Sequence, residues 1–279
     1  MSASAPARPI APGRTAASTP DTDTEHRLNR LRWWNIGVGL VLAVQAAAIA
    51  VLTNGFKLPV TGIFMAGPPG TPPGKPTTLF NVPLGWGVFA FLAISAGALL
   101  IIASPGVFDW YKRNLLRDRN YGRWIEYSLS SSLMIVLISM ITGISDIAAL
   151  LAIFAVNACM ILFGLLMEKY ETPGQASWLP FWFGSFAGIV PWIAVAIYVW
   201  SPGFSTPEPV PSFVYGIIVS LFVFFNIFAV NMVLQYKRVG PWRDYLFGEK
   251  AYIILSLSAK ALLAWWVFSA VLASGTGNG

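Results

Sequence analysis

The chain has 279 residues, 56% of them hydrophobic and 11% charged, where an ordinary soluble domain carries about 25% charged residues. With 25 Gly and 12 Trp, this composition excludes a water-soluble globule, a disordered chain and a nucleic-acid binder, and it points to an integral membrane protein in a lipid bilayer. The net charge of +6 invites an acidic partner, but the placement of the basic residues accounts for it otherwise.

Residues 1–30 are rich in Ala, Pro, Ser and Thr and are predicted to form a disordered tail. The tail does not read as a secretory leader, because the first apolar run begins only near residue 33 and is long enough to span. Seven runs follow, each near the roughly 20 residues a bilayer requires: 32–53, 84–104, 121–143, 147–167, 181–201, 212–236 and 251–273. They predict an all-α membrane protein, a seven-helix bundle over 31–273, with a short tail at 274–279. The longest connection, 54–83, holds seven prolines and five glycines. Phe56–Phe64 and Thr77–Val82 within it read as the strands of a small external β-ribbon. The single cysteine, Cys159, excludes an intrachain disulfide and a cysteine metal cluster; in its apolar run it reads as a small buried hydrophobe.

Lys and Arg set the orientation. The N-terminal tail carries Arg8, Arg14, Arg27, Arg30 and Arg32, and the loop after span 2 carries Lys112, Arg113, Arg117, Arg119 and Arg123. Lys169 follows span 4, and Lys237, Arg238, Arg243 and Lys250 follow span 6. These residues share one side; the other holds only Lys57 and Lys75. The N-terminus is therefore expected in the cytoplasm and the C-terminus outside, in the cell membrane. The basic excess is a topology signal, and the short basic loops suit an acidic soluble cytoplasmic partner or anionic lipid equally well.

The remaining basic residue is Lys260, ten residues into the last span, about 15 Å along the helix and near mid-bilayer. Sorting the acidic residues places Glu168 and Glu249 in loops and Asp146 in a turn, and leaves Glu126 alone within a span, in the first turns of span 3. A lone charge in hydrocarbon costs several kcal/mol, so the two are expected to face each other. Arg123, one turn before Glu126, extends the pair towards the cytoplasm. Such a pair can simply lock two helices, although burying an ion pair rarely improves on apolar packing. It can also serve chemistry, because a buried lysine amine condenses with an aldehyde and the protonated product needs a carboxylate counter-ion. Lysine in span 7, carboxylate in span 3 and a seven-span body are the arrangement of a retinal protein. Ser256 lies one turn from Lys260 on the same face. Glu126, Ser130 and Met134 form an i, i+4, i+8 stripe beside Ser131. Met160, Ile161 and Gly164 on span 4, Trp182 and Phe183 on span 5, and Phe222, Phe224 and Phe225 on span 6 supply the flat and small walls a polyene needs.

Arg123-Trp-Ile-Glu126-Tyr-Ser-Leu-Ser-Ser-Ser-Leu-Met134 resembles the third helix of the heliorhodopsins, and Tyr252-Ile-Ile-Leu-Ser256-Leu-Ser-Ala-Lys260 resembles their seventh. Asn157-Ala-Cys-Met-Ile-Leu-Phe-Gly164, Pro180-Phe-Trp-Phe-Gly184, Phe213-Val-Tyr-Gly216, and Leu58-Pro-Val-Thr-Gly62 with Gly67-Pro-Pro-Gly70 continue the similarity from span 1 to span 7. The resemblance implies all-trans retinal on Lys260 as a protonated Schiff base, with Glu126 as counter-ion and Ser256 as hydrogen-bond partner. It further implies that Met134, Trp182 and Phe225 line the polyene, with Ser131, Asn157, Ile161 and Gly164 nearby. It also implies the inverted orientation, a homodimer helped by the first external loop, and a slow light sensor rather than a pump or an enzyme. One departure stands out. Where many relatives have histidines in helices 1 and 2, this chain has Leu42 and Leu99, and its only histidine is His26 in the tail.

Three other readings stay open on the residues. A proton pump needs a donor and an acceptor on opposite sides of the chromophore, and the spans hold one carboxylate. A light-gated channel would use Asn157, Asn226, Asn231 and Ser220 as lining. A retinal-free transporter would use the Lys–Glu pair as a structural lock. No metal-ligand spacing, phosphate loop or Ser-His-Asp set suggests an enzyme.

Overall fold

The structure is a computed structural model that describes residues 21–201 and 212–275. Most of the predicted N-terminal tail and the last four residues lie outside the described residues. The elements in chain order are α1 (Thr22–Leu52), β1 (Lys57–Gly62), β2 (Thr77–Pro83), α2 (Leu84–Ala103), α3 (Pro105–Leu115), α4 (Tyr121–Ile141), α5 (Ile147–Tyr170), α6 (Leu179–Trp200), α7 (Ser212–Tyr236) and α8 (Tyr245–Gly275), with one 3₁₀ turn at Gly240–Arg243. Seven of these helices, all but α3, are long and apolar enough to cross a membrane. They coincide with the seven predicted spans, and the chain is a multi-pass membrane protein.

The helices pack as a closed bundle. α1 lies against α2 and α8, α2 against α4, α4 against α5, α5 against α6, and α7 against α8. α4 is the most enclosed, and this is why the polar stretch from Ser128 to Ser132 is tolerated there. A continuous apolar core runs through Leu42, Phe91, Leu92, Ile135, Ile138, Val195, Leu221 and Leu263. Cys159, expected to be buried, is exposed on the outer face of α5; an apolar run in a membrane helix has a lipid-facing side as well as a core-facing one.

Two features, at the start of α1 and after α2, differ from the sequence expectation. The helix begins at Thr22, not near residue 32, because the Asp21 side chain caps it by accepting from Thr24 N at 2.8 Å. Asp23 and Glu25 in the first turn favour the positive end of the helix dipole. The overhang is tied down by an Arg27–Asp244 ion pair, by Lys112–Glu25 at 3.4 Å and by Arg32 Nε donating to Ala103 O at 2.8 Å. The loop after α2 folds into α3, whose buried Phe108, Tyr111 and Leu115 recur at helical spacing.

The ribbon forms as expected. β1 and β2 are antiparallel, pairing Lys57 with Pro83 through Gly62 with Thr77, with a bulge at Val60/Thr61. Val60 is its buried anchor. Thr61 N donates to Ser145 O at 2.8 Å, which fastens the ribbon to the α4–α5 turn. That turn is made possible by Gly143 at φ +101. It ends in Asp146, whose Oδ1 accepts from Ala148 N at 3.0 Å and Ala149 N at 3.1 Å as the cap of α5.

Asp146→Ala removes this cap and is expected to destabilise the fold by about 1 kcal/mol, lowering the thermal midpoint by about 2–4 °C. Asp146→Asn, which keeps an acceptor, should recover most of the loss. A midpoint unchanged in the alanine variant would show that the cap carries no stability.

Candidate functional site

α4 and α8 bring Glu126 and Lys260 face to face. Lys260 Nζ lies 3.2 Å from Glu126 Oε1, and the two side chains are 4% and 7% exposed. Helical spacing puts Ser256 on the same side of α8, and Lys260 Nζ donates to Ser256 Oγ at 2.6 Å. From α2, Ser95 Oγ donates to Glu126 Oε1 at 2.5 Å. The Tyr127 ring stands beneath the ammonium, its centroid 4.8 Å from Nζ. Sequence reasoning passed over Ser95 and Tyr127. The signal for Ser95 was a lone hydroxyl inside the apolar run of span 2; a tyrosine next to the acid carried no distinct one.

Lys260 and Ser256 line a cavity of about 190 Å³ between α4, α5, α6, α7 and α8. Ser131, Met134, Met160, Ile161, Gly164 and Phe225 line it. Ser130 and Asn157 stand outside the lining. Ser130 is fully buried, and Asn157 Nδ2 donates to Ser131 Oγ at 2.9 Å and Ser132 Oγ at 3.0 Å, bracing α5 on α4. Two glycines set the width of the slot. A Cβ on Gly164 would collide with the Trp124 indole, and one on Gly188 with Met160 Sδ.

Trp182 is a correction. It is 64% exposed and does not line this cavity, because the buried face of α6 runs through Gly184, Gly188, Pro191, Trp192, Val195 and Val199, and Trp182 projects from the other side. The aromatic wall comes from Trp192, which meets the Phe222 and Phe225 rings edge-on at 5.3 and 5.4 Å.

An amine lining a narrow, mostly apolar and aromatic cavity, beside a buried carboxylate, suits an aldehyde-bearing polyene. The comparison with known families agrees: the model of the family Heliorhodopsin matches residues 31–272. The chain belongs to the heliorhodopsin family. It is thus a retinal-binding seven-helix rhodopsin of the membrane. No curated protein matches it.

At the N-terminal ends of α4 and α8 and the C-terminal end of α5, this heliorhodopsin buries a second set of charges, which differs from the sequence expectation. Glu168 and Glu249, expected in loops, lie within α5 and α8 and are 6% and 1% exposed. Arg123, expected to extend the Lys–Glu pair, instead pairs with Glu249 and, through Nη2 at 2.6 Å, with Glu168. Its guanidinium also stacks on the rings of Tyr252 at 3.9 Å and Trp124 at 4.6 Å. Glu168 accepts four hydrogen bonds: from Arg123 and Tyr245 OH on Oε1, and from Asn120 N and Trp124 Nε1 on Oε2. Glu249 accepts two, from Arg123 Nη1 and from Asn120 Nδ2 at 2.6 Å. The helices outrun their apolar runs by a few residues, and that extra turn carries both carboxylates inward.

A smaller cavity of about 30 Å³ joins the two charge groups. Glu126, Tyr127 and Ser256 border it at one end, and Asn120, Arg123 and Glu249 at the other, with Asn35, Tyr111 and Leu99 alongside. Burial pushes the Tyr111 phenol up to about 12, so it keeps its proton at physiological pH and accepts from Asn35 Nδ2 at 3.3 Å.

Removing one partner of a buried pair leaves the rest uncompensated. Arg123→Gln is expected to cost about 3–5 kcal/mol, seen as a large fall in thermal midpoint or loss of monodisperse protein. A variant as stable as the native chain would show that the cluster contributes nothing to holding α4, α5 and α8 together.

Proposed function

We propose that this heliorhodopsin is a light sensor whose chromophore is all-trans retinal bound to Lys260, with Glu126 as counter-ion. The observation that carries the reading is the Lys260 amine 3.2 Å from the Glu126 carboxylate and lining an apolar cavity. Retinal, attached at Nζ as a protonated Schiff base, would supply visible absorption and light-driven isomerisation. The chain's own residues do the rest. Glu126 balances the positive charge at Nζ in a low-dielectric site, Ser95 holds that carboxylate in place, and Ser256 accepts from Nζ. Met134, Phe225 and Trp192 confine the polyene, and Gly164 and Gly188 leave it room. When the N–H direction changes, Glu126 and Nζ lose their match, the proton leaves Nζ, and the surrounding helices repack.

A sensor is favoured over a pump by the placement of acid groups. Among the described residues, the buried carboxylates are Glu126, which faces Lys260, and Glu168 and Glu249, which lie in α5 and α8 at the end of the bundle where α4 begins. A pump needs relays on both sides. The bias of Lys and Arg supports a cytoplasmic N-terminus and an extracellular C-terminus. Exposed Phe64, Met65, Leu79 and Phe80 on the external ribbon support a homodimer.

The reading is tested by a visible absorption spectrum of the protein supplied with all-trans retinal. A visible band is expected in the native chain and none in Lys260→Ala. Glu126→Gln is expected to keep the band but move it to longer wavelength, because the carboxylate stabilises charge held at the nitrogen more than charge spread along the polyene. A band surviving in Lys260→Ala would remove the lysine as attachment point, and an unchanged spectrum and titration in Glu126→Gln would remove the counter-ion.

A further inference from the structure

We propose that Glu249 is the group that receives the proton released from Lys260 Nζ, by way of the small cavity between Glu126 and the Arg123 cluster. The proposal rests on the retinal reading above and adds the destination of the proton, which the sequence leaves open because its one histidine, His26, lies near the start of α1, far from Lys260 in the chain.

Three observations lead there. The first is continuity: one cavity is bordered both by Glu126 and Ser256, which touch the Lys260 site, and by Glu249. Ser256 and Glu249 are seven residues apart on α8, about 10 Å of helix rise. That distance is too long for one hop and short enough for a relay of one or two waters with a hydroxyl. At about 30 Å³ the cavity exceeds the roughly 10–15 Å³ that one water requires. The second is unspent hydrogen-bonding capacity along that route. Arg123 Nε and Asn35 Oδ1 are buried without a protein partner, and both residues border the cavity; bound water satisfies such groups. Tyr111 OH borders the same cavity and accepts from Asn35 Nδ2 at 3.3 Å and Asn120 Nδ2 at 3.5 Å.

The third is charge. One guanidinium faces two carboxylates, so the cluster carries one buried negative charge in excess. The two carboxylates are not equivalent. Glu168 accepts four hydrogen bonds and stands outside the cavity lining, while Glu249 accepts two and borders the cavity. A proton on Glu249 cancels the excess and leaves Arg123–Glu168 as a neutral pair. The step balances simply: the N–H bond at Nζ breaks, an O–H bond forms on the Glu249 carboxyl, and the proton returns by the same route when the dark state recovers.

The test uses the full-length protein loaded with retinal in lipid. Light-minus-dark infrared spectra read carboxylic-acid carbonyls directly, and flash photolysis reads the loss of the visible band as Nζ loses its proton. The native protein is expected to gain one protonated-carboxyl band in step with that loss. Glu249→Gln should lack the band and slow the deprotonation about a hundredfold, the low end of what a positioned proton acceptor contributes. Ala98→Leu fills the cavity wall without touching a charge. It should slow the step while keeping the carbonyl band, and it decides the matter if Glu249→Gln does not fold. A carbonyl band that persists in Glu249→Gln, that is absent from the native protein, or that disappears only in Glu126→Gln overturns the proposal, as does an unchanged rate in Ala98→Leu. Absence of any visible band in the dark overturns the retinal reading instead, and the proton relay with it.

Discussion

Moving an ammonium and a carboxylate out of water costs several kcal/mol for each ion, and α4 and α8 offset this only by standing close enough for Lys260 and Glu126 to meet. Much of the bundle follows from that requirement. α4 is the most enclosed helix because it carries an acid that must be kept from lipid. Ser95 of α2 and Ser256 of α8 each add a hydrogen bond to the pair, so three helices are fixed relative to one another by four polar side chains. The apolar cavity begins where that polar shell ends.

The Arg123 cluster applies the same logic one turn nearer the start of α4, with a different balance. Around Lys260 the charges are equal and opposite. Around Arg123 the carboxylates outnumber the cation, and the surplus is spread over Asn120, Trp124, Tyr245 and the α4 N-terminal turn. Arg suits this place because its planar fork reaches both carboxylates at once and stacks on two rings. Lysine, a compact point charge, lacks that planar fork.

Much of this was legible in the sequence, for physical reasons. Hydrophobic runs of bilayer length are a strong signal, so all seven spans appeared. Lys260 and Glu126 stood out because a charge in such a run is rare. What the sequence hid was the last turn at each helix end. Glu168 and Glu249 sit where apolar composition gives way to polar, and composition alone cannot say whether a helix continues inward past that point. The Asp21 cap was readable as a pattern, an acceptor followed by two acids, but low-complexity neighbours masked it. Trp182 was misplaced because two aromatic-rich turns of α6 look alike in sequence, and the buried face is settled by Gly184, Gly188 and Pro191 packing against neighbours.

The distribution of these charges along the chain also bears on how the protein is made. Arg123 meets Glu168 within two successive spans, so that pair is available soon after α5 has been synthesised. Glu126 has no such early partner. Its cation lies 134 residues downstream, on the last helix. During synthesis α4 must therefore wait with its acid either protonated or turned to the aqueous translocation path. Arrival of α8 supplies Lys260 to Glu126 and Glu249 to Arg123 together. Electrically, the bundle is completed by its final span, and a chain stopped short of α8 would leave the membrane holding a carboxylate with no cation to face.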